Sequence, residues 1–486
     1  MSKIIKLLEK HGPMLSGELE RIYAKEYNTS NDAARKAVSR ARSPVQRVMT
    51  FKFDKNQVFC HLEKQYMSTK YMDALLEAIR KHSKVNHTVL QTFIDQGGYV
   101  SKKILPSFTS SPVEKVQSHK MCDKIIKGLL DSNLIIEYDE TTYMLNPDFG
   151  MSGKRPHSLG IEIAKKNIIS NFDNWAKKIN LVAYNSGQTL FENPVFAHFR
   201  WAYTAPSYIQ PMYSYNLQRP GFVVADVFFG KMADIHNIQF FIDKLGIIRS
   251  FKNLPSFMPI LFVESITSEA LDKLKELKVV VAILKNVFSE KYVELLKDLV
   301  TVFENATAIM NKQPEQIYKL FDNLAQNEGK YNNMAGDMFE LLVGSHYSYI
   351  GCSYLRSKQL IKTQEGKRKE LDLLIKKDGR TIVVECKATK SPIDEEFVSK
   401  WLNDNIPVTR KWLKEKFDTD NVEFQLWSIG GFTDEASRLL LEAQESVRKY
   451  KIEYFTRAQM LDIAWERKDT NFIEIINTHF NYTFPS

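Results

Sequence analysis

Cysteine is scarce: Cys60, Cys122, Cys352 and Cys386 are the only four in 486 residues. Their wide separation excludes the paired spacing of a structural zinc site. No secretory leader stands ahead of them, so a reducing, intracellular and cytoplasmic setting is expected. No apolar run approaches the roughly 18 residues that a membrane span requires, which excludes a membrane-embedded role. The chain also lacks a Walker-type phosphate loop, and with it an ATPase of its own. Low-complexity tracts and a coiled-coil seam that would fix an oligomer are missing as well.

What remains is a long, basic, core-rich chain. At 44% hydrophobic residues it can bury several cores, and about 150 residues per domain gives three or so domains. Lys plus Arg exceed Asp plus Glu by 67 to 58, a net charge of +9. That balance suits a polyanionic partner such as DNA. The bias starts early, with ten Lys/Arg against five Asp/Glu in residues 1 to 50.

Residues 1 to 66 read as an α+β winged helix. "KIIKLLEKHG", "LSGELERIYAKEY" and "SNDAARKAVSRAR" have helical spacing, and "VMTFKFDKNQVFCHL" is a two-strand wing turning at residues 54 to 56. Ser30 or Asn31 caps the third helix, which presents Arg35, Lys36, Arg40 and Arg42 around small alanines. Small residues let a helix approach a groove closely while the basic side chains reach bases or phosphates, so this helix is the expected DNA reader. The bland use of the same pattern is a solvated basic helix in a protein-binding module. Residues 67 to 150 repeat the plan, with Lys120, Lys124 and Lys127 on a less basic third helix. "MSGKRPHSLG" at residues 151 to 160 reads as a linker.

The middle region, residues 160 to 310, reads as α/β. Strands are expected in "GFVVADVFFG", "FMPILFVES" and "LKVVVAIL", with a crossover helix in "TSEALDKLKEL". This ending parallels the one near the carboxyl terminus, which makes the region a candidate degenerate copy or sensor. Asp226 and Glu264 are its only strand acids of interest, and a cap or edge role suits both. The aromatic stretch "FAHFRWAYTAPSYIQPMYSYN" can stack on extruded bases or simply pack a core.

The chemistry lies in "KELDLLIKKDGRTIVVECKAT", residues 369 to 389. Asp378-Gly379 between two apolar runs predicts a two-residue hairpin turn. If Lys377 faces Arg380, then Asp372 faces Glu385 and Glu370 faces Lys387, all on one face. Leu371, Leu373, Val384 and Cys386 take the other. Opposed carboxylates destabilise a sheet unless something binds them. A hard divalent cation such as Mg²⁺ or Mn²⁺ does so, and Lys387 beside it can polarise a water or stabilise charge on a phosphate. A solvated surface hairpin is the alternative. Glu340, inside the apolar helix "GDMFELLVGSHYS", is a charge that needs a partner, either the same metal centre or a salt bridge.

These residues resemble the PD-(D/E)XK nuclease superfamily, in the style of modification-dependent restriction endonucleases and archaeal Holliday-junction resolvases. The matching positions are Asp372, Glu385-Cys386-Lys387 and the helical Glu340, with Leu371 where the family's proline would stand. The "GGFTDEA" turn, followed by a helix and a strand, resembles the same superfamily. The resemblance covers roughly residues 315 to 470, and the nuclease domain is expected over 315 to 486. It implies a restriction-endonuclease-like α/β domain with a mixed sheet. It also implies an Mg²⁺-dependent endodeoxyribonuclease with Asp372, Glu385, Lys387 and Glu340 as catalytic residues. Asp372, Glu385 and Glu340 are the implied metal ligands, and Glu370 is an auxiliary ligand or the ion-pair partner of Lys387.

The expected function is therefore metal-dependent hydrolysis of DNA phosphodiesters, with the winged helices loading a duplex substrate, in restriction or genome defence. A homodimer and a motor or defence-system partner are compatible with it. The alternatives are a noncatalytic DNA-binding regulator or adaptor that keeps a nuclease fold, and an RNase with the same site.

Overall fold

The computed structural model describes residues 2–49, 53–149, 153–215, 218–313, 315–326, 335–362, 368–417, 419 and 421–480. The chain divides into two compact units, residues 1–161 with 168–287 and residues 162–167 with 288–486. Among the described residues no helix is long and apolar enough to cross a membrane.

In the first unit, Ile4, Leu7 and Leu8 recur at helical spacing and form the buried face of α1 (Lys3–His11). Then come β1 (Met14–Leu15), α2 (Ser16–Glu26), α3 (Asn31–Arg40), β2 (Val45–Val48) and β3 (Phe59–Leu62). The three strands form an antiparallel sheet in the order β1-β3-β2. Ser30 caps α3, its hydroxyl accepting from the Ala33 N–H at 3.3 Å. Arg47 on β2 closes the other end, donating to the carbonyls of Val38 (2.7 Å) and Ala41 (2.9 Å). Part of the expected wing, residues 50 to 52, lies outside the described residues.

The plan recurs in α4 (Thr69–His82), α5 (Lys84–Asp95), β4 (Tyr99–Ser101), α6 (Cys122–Asp131), β5 (Ile135–Glu137) and β6 (Thr142–Leu145). Its strand order, β4-β6-β5, matches that of the first sheet. The expected linker at 151 to 160 is corrected. Residues 151 and 152 lie outside the described set, but α7 (Arg155–Lys178) begins where the linker was read. Pro156 sits in its first turn, where a missing N–H costs nothing, so a proline read as a breaker is here a helix start.

The rest of the unit holds β7 (Gln188–Thr189), β8 (Val195–Phe196), β9 (Phe199–Arg200), β10 (Tyr203–Ser207), β11 (Gly221–Phe228), α8 (Gln239–Arg249), β12 (Phe257–Val263), α9 (Ser268–Glu276), β13 (Val280–Ile283) and α10 (Leu284–Val287). The three expected strands and their crossover helix are β11, β12, β13 and α9. From β7 through β10, β11 and β12 to β13 the pairings run antiparallel, antiparallel, parallel, parallel. Asp226 is wholly buried on β11 and paired with Lys244 of α8 at 2.8 Å. Phe199, Trp201 and Tyr203 of the aromatic stretch are core residues, whereas Tyr208 and Tyr215 are exposed.

The second unit contains α11 (Glu290–Glu304), α12 (Ala306–Lys312), α13 (Glu315–Gln326), α14 (Ala335–Tyr349), β14 (Tyr354–Lys362), β15 (Arg368–Lys377), β16 (Arg380–Lys387), α15 (Glu395–Lys400), α16 (Ile406–Phe417), β17 (Val422–Ser428), α17 (Asp434–Ser446), β18 (Lys451–Thr456), α18 (Arg457–Glu466) and α19 (Thr470–His479). Its five-stranded mixed sheet, β14-β15-β16-β17-β18, again pairs antiparallel, antiparallel, parallel, parallel. A core of Leu371, Leu374, Val383, Trp401, Phe424, Leu426 and Leu440 joins this sheet to the helices from α15 to α17.

The two large sheets share more than their order. An isolated parallel bridge follows the central strands in each, Ala233 with Ile266 and Ile393 with Phe432. Superposing these bridges places Ala225, which pairs with Ile260, where Glu385 pairs with Leu426. Val227 then takes the place of Lys387, and Tyr203, the partner of Ala225 on β10, that of Asp372. The middle sheet has the topology without the acids.

Candidate active site

The hairpin that carries the site folds because Asp378 and Gly379 both adopt positive φ (+49° and +73°), as a type I′ turn requires. Register follows from the turn: Lys377 pairs with Arg380, and the ladder runs unbroken to Leu373 with Val384. Leu371, Leu373, Val384 and Cys386 are buried, as expected, and Glu370, Asp372, Glu385 and Lys387 are half-buried. At Asp372 the carboxylate itself continues the connection, with Oδ2 accepting from the Cys386 N–H at 2.8 Å. The loop after β16 is held close by Gly430, where a Cβ would lie 2.5 Å from the Ser391 carbonyl oxygen and 2.7 Å from that of Thr389.

Charge within this short segment is concentrated and poorly solvated. Burial, followed by the neighbouring Glu385 charge, pushes the Asp372 carboxyl up to about 6. Lys387 Nζ stands 2.7 Å from Glu385 Oε1 and over the ring of Phe397 on α15. Burial opposes its charge, but Glu385 and Asp372 outweigh that and raise its pKa. The lysine is therefore a protonated donor at neutral pH.

Two expected contacts differ. Glu370 does not pair with Lys387: it faces Leu360 across β14, and its Oε1 lies 3.9 Å from Lys358. Glu340, 8% exposed on α14, has its Oε2 2.6 Å from the same Lys358, in an ionic contact too bent to count as a hydrogen bond. Asp337, one turn earlier on α14, accepts a hydrogen bond from Lys358 at 3.0 Å. Burial and the charges of Asp372 and Asp337 push the Glu340 carboxyl well up, against the pull of Lys358. Lys358 gave no signal in the sequence, since a lysine on a strand ordinarily faces water. Its backbone marks it: φ is +51° in the middle of β14, between the intact pairs Ser357–Leu373 and Gln359–Leu371.

The donor set suits a hard divalent cation. Asp372 and Glu385 bring two carboxylates near enough for one to raise the pKa of the other, and magnesium is commonly held by one or two carboxylates completed by substrate phosphate. Among the described residues no group of three or more His, Cys, Asp or Glu is gathered to hold a metal by itself. The geometry accounts for this, because an ammonium stands among Asp337, Glu340 and Glu370. In the first unit, Arg35, Lys36, Arg40 and Arg42 are all exposed on and just after α3.

Comparison with known proteins bears on this unit. Residues 331–403 match a family model for a restriction endonuclease catalytic domain, Mrr_cat, in agreement with the nuclease resemblance carried by Asp372, Glu385 and Lys387. The matched stretch spans α14 and the strands β14 to β16, and so contains every acidic and basic residue described above for this centre. A solved structure described as a protein of unknown function, AF1548, is 14% identical over 28% of this chain and 65% of its own, with a TM-score of 0.20. The chain thus spans a little under two thirds of that protein, a likeness that carries no argument. None of the curated proteins matches the sequence.

Proposed function

We propose that this chain, which carries a restriction-endonuclease domain, is a metal-dependent endonuclease that hydrolyses DNA phosphodiester bonds at the Asp372/Glu385/Lys387 centre. The observation that carries the reading is the half-buried like-charge pair: Asp372 is pushed up to about 6 by burial and by Glu385, while a protonated lysine stands on Glu385. A purely structural cluster has no reason to keep that conflict.

Asp372 and Glu385 would hold the cation, Mg²⁺ or Mn²⁺, which when bound supplies charge screening on the phosphate and acidifies a water. Lys387 donates from its ammonium to the attacking water or to a non-bridging phosphate oxygen, stabilising negative charge as it develops there. The Cys386 N–H fixes one oxygen of Asp372, so that carboxylate is oriented before substrate arrives. Glu340 supports the centre through Lys358.

The amino-terminal helical units are read as winged helices, with Arg35, Lys36, Arg40 and Arg42 contacting duplex DNA. The middle sheet is a noncatalytic copy of the nuclease sheet, with Ala225, Val227 and Tyr203 in place of Glu385, Lys387 and Asp372. One active centre per chain cuts one strand, so double-strand cleavage requires a homodimer or two successive nicks. A role in restriction or genome defence within a reducing cytoplasm suits the whole, alone or with a motor or other defence protein.

The test is a substrate panel of supercoiled plasmid, linear duplex, single-stranded DNA and RNA, incubated in Mg²⁺, Mn²⁺ or EDTA. The expected result is metal-dependent cutting of DNA that Lys387→Ala reduces by about a hundredfold or more. Cutting that survives EDTA, or is indifferent to Lys387, would contradict the assignment, and cutting of RNA alone would change the substrate.

A further inference from the structure

Lys358 combines a positive φ in a strand with an ammonium crowded by three acids. Its ammonium meets Asp337 at 3.0 Å, Glu340 at 2.6 Å and Glu370 at 3.9 Å, with only 12% of the side chain exposed. A non-glycine residue at positive φ in a strand interior costs on the order of 1–3 kcal/mol, and such strain collects where function demands a particular placement. An ordinary strand conformation would have kept the neighbouring pairs just as well, since Ser357–Leu373 and Gln359–Leu371 are in register on either side. The twist at Lys358 leaves the register on both sides intact.

Asp337 accepts a hydrogen bond from Lys358, but the other two acids are poorly satisfied for a structural salt bridge. Glu340 Oε2 is buried and touches Lys358 without an aligned hydrogen bond, and Glu370 Oε2 is buried without a hydrogen-bond partner among the described residues. Hard oxygens gathered around a compact charge, with unfilled acceptor capacity, are what a divalent cation would otherwise take. Here the charge is covalently attached.

We infer that Lys358 is a built-in cation filling the Asp337/Glu340/Glu370 cluster, so that this centre takes one divalent ion, at Asp372 and Glu385, instead of two. The inference rests on the nuclease reading for its first site only. The lysine is a positioning residue: it holds Glu340 and Glu370 away from the ion and supplies a fixed positive charge beside it. An ion-independent charge next to the ion-dependent one lets the centre work without recruiting a second metal from solution.

The experiment counts Mn²⁺ bound to the full chain by electron paramagnetic resonance of free ion at equilibrium, for wild type, Lys358→Ala, and Lys358→Ala combined with Glu370→Gln, each checked for fold by circular dichroism. Lys358→Ala is expected to bind one ion more than wild type, and the added ion to vanish with Glu370→Gln. A folded Lys358→Ala that gains no ion overturns the inference. Because that variant uncovers buried acids and can fail to fold, Glu340→Gln is measured in the wild-type background. It should change Mn²⁺ affinity by no more than a few fold, as for a group that acts through Lys358, and a loss of about tenfold or more, as for a direct ligand, overturns the inference too. If wild type binds no Mn²⁺ while Lys358→Ala gains an ion, the Asp372/Glu385 reading fails and the built-in cation stands.

Discussion

Asp372 concentrates the conflict in this molecule. Its carboxyl accepts the Cys386 N–H and is pushed up to about 6, first by desolvation and then by the Glu385 charge beside it. Its ordinary value is about 4, so the native state binds this proton more tightly than the unfolded chain does. Its contribution to stability is therefore present below about pH 4 and is lost as pH rises through about 6. Asp372→Asn keeps an acceptor for Cys386 and removes the charge. In EDTA it should stabilise the protein by about 3 kcal/mol at pH 7.5 and by only about 1 kcal/mol at pH 4.5, read from urea unfolding at the two pH values. An equal effect at both would show that the charge conflict is not there. The residues of this site were legible because strand alternation and a type I′ turn fix which side chains share a face. Lys358 was not, because nothing in "SKQLIK" announces a positive φ; only the fold brings the strand opposite Asp372 and against α14.

At the scale of elements, legibility follows periodicity. The hairpin, β17, α17 and β18, and the three apolar strands of the middle sheet each carry enough repeats to declare themselves. Strand β1 has two residues and no period, and α7 hides its start behind a proline that reads as a break. The third helix of the first unit was visible, with its Ser30 cap; its other end depends on Arg47, a residue seven positions beyond the helix that sequence spacing does not connect to it. That helix presents its basic residues on a framed, rigid segment. Reversing Arg35 and Arg40 to Glu should weaken duplex binding and lower the magnitude of its salt slope by about 1 for each phosphate no longer neutralised. Fluorescence anisotropy across a salt series measures it, and an unchanged slope would remove α3 from the interface.

For the whole molecule, the recurring feature is a shared strand order. Two small helix-and-sheet units share one strand order, and two five-stranded sheets share one sequence of pairings, though only the carboxyl-terminal sheet carries the acids. That the middle region ends like the carboxyl-terminal one was readable from its last two strands and their helix. Its antiparallel half was not, since β7 has only two residues and β10 lies within an aromatic run. Where the carboxyl-terminal sheet gathers charge at the proposed centre, the middle sheet uses buried charge for cohesion. Lys244, wholly buried, joins Asp226 at 2.8 Å and donates to the carbonyls of Ser107 and Arg200, tying α8 to β11, to β9 and to the chain after β4. Lys244→Met should destabilise the first unit by about 3–5 kcal/mol by stranding Asp226, and adding Asp226→Asn should recover part of the loss. Thermal unfolding of the single and double variants checks it; a single-variant cost below about 1 kcal/mol would mean that the pair is not the tie described.

On the proposed reading one centre, in the carboxyl-terminal sheet, performs the chemistry. Its most direct test is single-turnover nicking of supercoiled duplex DNA in Mn²⁺ by Asp372→Asn, the variant expected to be at least as stable as wild type. Loss of nicking by about a hundredfold or more, with duplex binding retained, is the predicted result. Nicking within a few fold of wild type would contradict it.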